Sequence, residues 1–253
     1  MLKAVFRHLP ESQSSPVANI FRTSWKLPFD PSIEVPMKFK LYNFFRNSAG
    51  HRVRIALALK GLEYEYVSVN IGPALEQKSE SYLQINPQGL VPTLEHDGAR
   101  ITQSLAIVEY LEEQFPEPAI LPKDSLTRAR ARAFAGAIAS EMHALNNSGV
   151  HRFLEQDMQA DAERRLKWYF HWARLGFSAL ENMLANEKET PFCFGGEPGI
   201  ADIFLVPQHV NYRRFGVPLD DYPRLNRIVE RCENLPAFQA AAPEAQPDYI
   251  EGF

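Results

Sequence analysis

From Phe39 the chain alternates, with Phe39, Leu41 and Asn43 on one side of a short strand. Val53, Ala56, Leu57 and Leu59 then recur at helical spacing between Arg52 and Lys60, and Gly61 stops that helix. Tyr64, Tyr66, Val67 and Val69 mark a second strand, and a polar stretch runs from Ile71 to Gln84. Asn86-Pro87 and Gln88-Gly89 are turn pairs, Val91 to Glu95 is β-prone, and Asp97-Gly98 signals a hairpin ahead of Arg100-Ile101. Leu105, Ile107, Val108 and Leu111 return to helical spacing. The predicted order is β-α-β-α-β-β-α, its first two strands parallel through a right-handed crossover and the hairpin beside them.

Beyond Phe115-Pro116-Glu117-Pro118 and Leu121-Pro122, a proline-rich linker, the periodicity is helical throughout. One helix is predicted from Ser125 or Thr127 through Phe134, Ile138 and Met142, reaching His143-Ala144-Leu145-Asn146-Asn147. A second is predicted from Asp157 to Asn186. Its Leu166, Trp168, Phe170, Trp172, Leu175, Phe177 and Leu180 are assigned to the core. Residues 1–36 show no sustained period and carry Ser-Ser-Pro, Leu-Pro and Asp-Pro breakers, so a poorly ordered extension is expected there. The expected organisation is thus an extension over 1–36, an α/β domain over 37–121 and an all-α domain over 122–253.

Composition changes this picture only by exclusion. At 253 residues, 45% of them apolar, the chain has material for two cores. A formal charge of −4 without a Lys/Arg run argues against nucleic acid as the main partner. No apolar run approaches a membrane span. Two cysteines suggest neither a disulfide framework nor a zinc motif, so a reducing, cytoplasmic setting is expected.

The candidate chemistry lies at two places. Pro92 stands at the mouth of a strand, and two readings are open: a trans proline that opens the strand, or a cis Val91-Pro92 bond that turns the Val91 N–H and C=O toward an extended peptide ligand. Ser104 starts a helix. Its hydroxyl and the free N–H groups of the first turn either cap that helix or form an anion site. In the loop from Phe45 to His51, Ser48 is the one hydroxyl. It either caps the following helix, as Asn47 also can, or stabilises a bound thiolate, whose unperturbed pKa is about 8.5.

Taken together, these motifs are similar to those of cytosolic glutathione transferases, over the whole segment from Met37 onward. The strings Gln-Gly-Leu-Val-Pro (88–92) and Gln-Ser-Leu-Ala-Ile-Val-Glu-Tyr-Leu-Glu-Glu (103–113) resemble the zeta class, that of maleylacetoacetate and maleylpyruvate isomerases. The resemblance implies a thioredoxin-like α/β N-terminal domain, an all-α C-terminal domain, glutathione as cofactor, no metal, and a homodimer. Val91 and Pro92 match the family's cis-proline motif, and Gln103-Ser104 the pair holding the γ-glutamyl end of glutathione. His143 and Asn147 match the ends of a His-Pro-Leu-Asn-Asn string that reaches toward glutathione; read without the resemblance, a helix-end histidine and C-capping asparagines are the alternative.

The active loop departs from the zeta pattern. Asn47-Ser48-Ala49 stands where that pattern has Ser-Ser-Cys, so Asn47 takes the place of the usual catalytic serine, and Ser48 is kept. Arg46 and Arg214, the latter in Asn211-Tyr212-Arg213-Arg214-Phe215, align with arginines that bind substrate carboxylates, a task suited to planar guanidiniums; pairing of either with an acidic side chain is the alternative. Ser148-Gly149 lacks the arginine some relatives place just after the asparagines. Gly199 to Gln208 resembles the superfamily's N-capping box, with glycine for the usual Ser or Thr at an expected cost of a few tenths of a kcal/mol. The activity implied is cis–trans isomerisation of a maleyl-type diacid by reversible thiolate addition. Conjugation or dehalogenation of small electrophiles is the alternative that Asn47 and Gly149 favour, and a catalytically idle glutathione-binding protein is a third.

Overall fold

A computed structural model describes residues 39–252, so the expected extension over 1–36 lies outside the described residues. Strand β1 (Phe39–Asn43) leads into helix α1 (Ser48–Leu59) and returns through β2 (Tyr64–Ser68). The polar stretch then forms one short 3-10 turn and a single-turn helix, α2 (Glu80–Leu83), before β3 (Thr93–His96), β4 (Ala99–Thr102) and α3 (Ser104–Gln114). The sheet order is β2-β1-β3-β4: β1 and β2 are parallel with Leu41 opposite Tyr66, and β1 and β3 are antiparallel with Leu41 opposite Leu94. Asp97 and Gly98 both have positive φ in the β3–β4 turn, as an Asp-Gly hairpin requires.

Only helices follow among the described residues: α4 (Ser125–Gly136), a π-helical segment (Ala137–His143), α5 (Ser148–Gln156), α6 (Ala162–Ala185), α7 (Ile200–Arg214), α8 (Pro223–Glu233) and α9 (Pro236–Ala241). Helix α1 packs against α3, α7 and α9, so one apolar core runs from Leu41, Ile55 and Leu94 to Phe134, Phe177 and Phe204. Helix α7 is apolar on nearly all sides, with Ile200 to His209 buried, which suits a helix at the centre of the molecule. Among the described residues no helix is long and apolar enough to cross a membrane.

The helical half differs from expectation in four respects. The single helix predicted to His143 becomes π-helical at Ala137, because nothing in a local apolar period reports one extra residue per turn. A helix over Ser148–Gln156 was not expected. Its residues are all at least partly exposed, so they carry no core stripe. The next helix starts at Ala162, not Asp157, with Asp161 as its cap accepting from Arg164 N–H at 2.8 Å. Finally, Phe177 and Leu180 are core as assigned, but Leu166 and Leu175 are exposed and Tyr169 is the buried aromatic in between.

The N-cap of α7 also departs from the expected ledger. Asp202 accepts from Gly199 N–H and Cys193 N–H, both at 2.9 Å. A Cβ on Gly199 would stand 2.8 Å from the Ile120 carbonyl oxygen, which accepts from Ile200 N–H at 2.8 Å. Glycine is required there by close backbone approach, so its presence is more than a lost cap hydroxyl.

Candidate active site

Loop Phe44–Asn47 carries the chain from β1 to α1. Asn47 is the N-cap, its Oδ1 accepting from Gly50 N–H at 2.5 Å, so the capping role left open for it is the one observed. Ser48 occupies the first helical position and is buried, with Oγ 3.1 Å from His143 Nδ1. That contact crosses between the two halves, and the π-helical segment ends on His143, so the wider turn sets where the ring stands. Burial, and secondarily the charge of Arg52, push the His143 pKa down to about 3 and keep the ring neutral.

The Val91–Pro92 bond is cis, the reading that the family resemblance implied. Val91 precedes β3, and among the described residues neither its N–H nor its C=O takes a backbone partner. Gln103 holds φ at 69°, outside the regions favoured by side chains, which costs about 1–3 kcal/mol. It is Gln103, not Ser104, that stands at the cap position of α3, and no side chain caps that helix. The first N–H groups of α3 and the Ser104 hydroxyl therefore remain available to an anion.

Beneath Ser104 lies a group that sequence reading missed as part of the site. Arg52 is 1% exposed, donates from Nη1 to Ser104 Oγ at 3.2 Å, and stacks its guanidinium 4.7 Å above the Phe204 ring. Its Nε and Nη2 are buried without partners among the described residues. Burial lowers its pKa to about 9, so it is still cationic at neutral pH. The only signal available was a charge at an otherwise apolar helix position.

Arg46, Asn47, Ser48, Val91, Pro92, Gln103, Ser104, His143, Asn147 and Arg214 all line one cavity of about 1070 Å³, between the sheet-bearing and helical halves. The structure thus brings together every residue singled out from the sequence. Asn147 does so in an unexpected role: it is the N-cap of α5, accepting from Gly149 and Val150 N–H and donating to Ala144 C=O, where a C-cap was the structural alternative. Trp168 and Asn146 tie this turn to α6, donating to the Leu145 and Tyr169 carbonyls. Arg214 lies over Phe215, and burial and then the charge of Arg46 lower its pKa to about 10. Two guanidiniums are therefore close enough to feel one another across the cavity wall.

The comparisons agree with this geometry. Residues 37–113 match the family described as glutathione S-transferase, N-terminal domain, and residues 143–240 match glutathione S-transferase, C-terminal domain. A maleylacetoacetate isomerase of Pseudomonas aeruginosa is 44% identical over 211 residues, 83% of this chain and 98% of that protein. The holo structure of a bacterial maleylpyruvate isomerase, a glutathione S-transferase of the zeta class, superposes with a TM-score of 0.81 at 42% identity, over 83% of this chain and 100% of that one. A maleylacetoacetate isomerase of Methylobacterium extorquens with bound malonate and glutathione gives 0.80 at 39% identity, over 83% and 99%. With both domains matched and the same fold shared, the chain belongs to the glutathione S-transferase superfamily, in its zeta class.

Proposed function

We propose that this protein is a glutathione-dependent isomerase that converts a maleyl-type diacid, maleylacetoacetate or maleylpyruvate, to its fumaryl isomer. The observation that carries the reading is one cavity wall holding both a buried hydroxyl, Ser48, and the guanidiniums of Arg46 and Arg214. A tripeptide with carboxylates fits the residues present. The unpaired Val91 backbone groups, the uncapped start of α3, Ser104 and the orphaned N–H groups of Arg52 supply donors and acceptors that are otherwise unused. Val91, Gln103, Ser104, His143 and Asn147 would hold glutathione.

When bound, glutathione supplies a nucleophilic thiolate that adds reversibly to the activated double bond. The chain's own part is to hold and polarise. Ser48 donates a hydrogen bond to the sulfur, favouring its ionised form, and each pKa unit of such lowering is worth about 1.4 kcal/mol. Arg46 and Arg214 bind the diacid's carboxylates, neutralising charge that would otherwise repel a thiolate. Fixed placement of both reactants lowers the entropic part of the barrier. In this reading residues 37–121 serve glutathione and residues 122–253 the electrophile. Assembly as a cytoplasmic homodimer belongs to it too; the buried free thiols Cys193 and Cys232 support the reducing compartment.

A second reading, conjugation or dehalogenation of small electrophiles, is favoured by Asn47, whose amide oxygen is committed to Gly50. Incubation with glutathione and maleylacetoacetate or maleylpyruvate separates the two. The isomerase forms a fumaryl product at constant total glutathione. Turnover of a halogenated electrophile with glutathione consumed, and no fumaryl product, would establish the second reading instead.

A further inference from the structure

Helix α5 meets the cavity through Ser148, His151, Arg152, Glu155 and Gln156, spaced i, i+3, i+4, i+7 and i+8. That spacing is one face of a helix, and here the face is wholly polar. Phe153, off that face, is 55% exposed. The polar side of α5 is therefore turned to the cavity and is suited to a polar ligand.

The carboxylates on this wall are already paired. Glu155 is ion-paired with Arg165, and Glu109, the other carboxylate lining the cavity, is held by Arg132 through two bonds of 2.7 Å. His151 is kept toward its neutral form by burial and by Arg165. Arg152 has no acidic partner among the described residues, whereas the neighbouring Arg165 has one. With Arg46 and Arg214 it places three guanidinium side chains along one cavity, a set of donors whose planar forks suit carboxylates.

We infer that Arg152 is a specificity-determining residue that binds one carboxylate of the diacid, completing with Arg46 and Arg214 a clamp for a dianion. The inference rests on the isomerase reading for its natural substrate but is testable apart from it. Malonate, an unreactive small dicarboxylate, is titrated calorimetrically into the glutathione-loaded protein, its Arg152→Gln variant and its Arg152→Lys variant, and diacid KM and glutathione affinity are measured in parallel. Arg152→Gln is expected to weaken malonate binding and raise the diacid KM roughly ten- to a hundredfold, as for loss of a charged hydrogen bond, with glutathione affinity and melting temperature held. Arg152→Lys is expected to recover part of the loss, because it keeps the charge but not the fork. Malonate binding unchanged in Arg152→Gln, no malonate binding by the parent, or an equal loss of glutathione affinity would each overturn the assignment. Should the parent bind malonate through Arg152 yet produce no fumaryl product, the isomerase reading fails and this one stands.

Discussion

Ser48 Oγ and His143 Nδ1 lie 3.1 Å apart, joining the hydroxyl at the start of α1 to a ring 95 positions later in the chain. Because His143 is neutral, its ring carries one N–H. If that hydrogen is on Nδ1, the ring donates to Ser48 and leaves the serine O–H free for a thiolate. On Nε2, the serine proton is spent on the ring.

Ser48→Ala should therefore raise the pKa of bound glutathione's thiol by about 1–2 units and lower kcat/KM roughly ten- to a hundredfold. His143→Gln, which retains an N–H donor toward Ser48, should lie between Ser48→Ala and the parent. Ultraviolet titration of thiolate absorbance in the complex reads both. An unchanged thiol pKa in Ser48→Ala would remove the serine from this role.

Acid should destabilise the fold in a defined window. His143 titrates near 3 when folded against about 6.5 unfolded, and burial lowers His51, His151 and His209 in the same direction. The unfolded chain thus binds more protons below pH 6.5. Stability is complete above that pH and is lost as pH falls from about 6.5 toward 3, by up to about 1.4 kcal/mol per pH unit for each such ring. Denaturant titrations from pH 7 to 5 should show this loss, with a shallower slope in His143→Gln. An equal slope in that variant would mean that His143 charges freely in the folded state.

The sheet-bearing half was legible because its signals are local. An Asp-Gly turn, a proline at a strand mouth and a serine at a helix start each report their own geometry. The helical half was legible only where an apolar face meets the core, as in Phe177 and Leu180. Helix α5 carries only Val150, Phe153 and Leu154 at helical spacing, none of them buried, and turns its polar face to the cavity, so Arg152 went unnoticed with it. The role of Arg52 depends on Ser104 and Phe204, which are distant in sequence and adjacent only in the fold.

Gly199 illustrates the same limit and yields a prediction opposite to the capping rule. Serine is the better cap in isolation, yet its Cβ would stand 2.8 Å from the Ile120 carbonyl oxygen, a backbone atom already bonded to Ile200 N–H. Gly199→Ser and Gly199→Ala should both destabilise, by about 1–3 kcal/mol, with equilibrium unfolding as the measure. A gain in stability from serine would show that the linker yields at no cost.

The chain's last turn presents no chemistry of its own, yet Asp248 accepts from Phe45 N–H at 3.2 Å, Tyr66 O–H at 2.7 Å and Ser68 O–H at 2.9 Å. Arg54 adds a second tie, donating to the Phe45 and Ala241 carbonyls, and the Tyr249 ring meets Phe45 edge-on at 5.5 Å. The backbone just ahead of Arg46 and Ser48 is thus held from the far end of the sequence. Asp248→Ala leaves the Phe45 N–H and Tyr66 O–H without their acceptor, a loss of about 2–4 kcal/mol when charged hydrogen bonds are removed from a partly buried site. Asp248→Asn, which keeps an acceptor of the same shape, should lose less. If the tie positions the loop as well as stabilising it, kcat/KM measured well below the melting temperature should fall in the order parent, Asn, Ala, while glutathione affinity changes little. Parent-like turnover in a destabilised Asp248→Ala variant would confine the tail to a folding role.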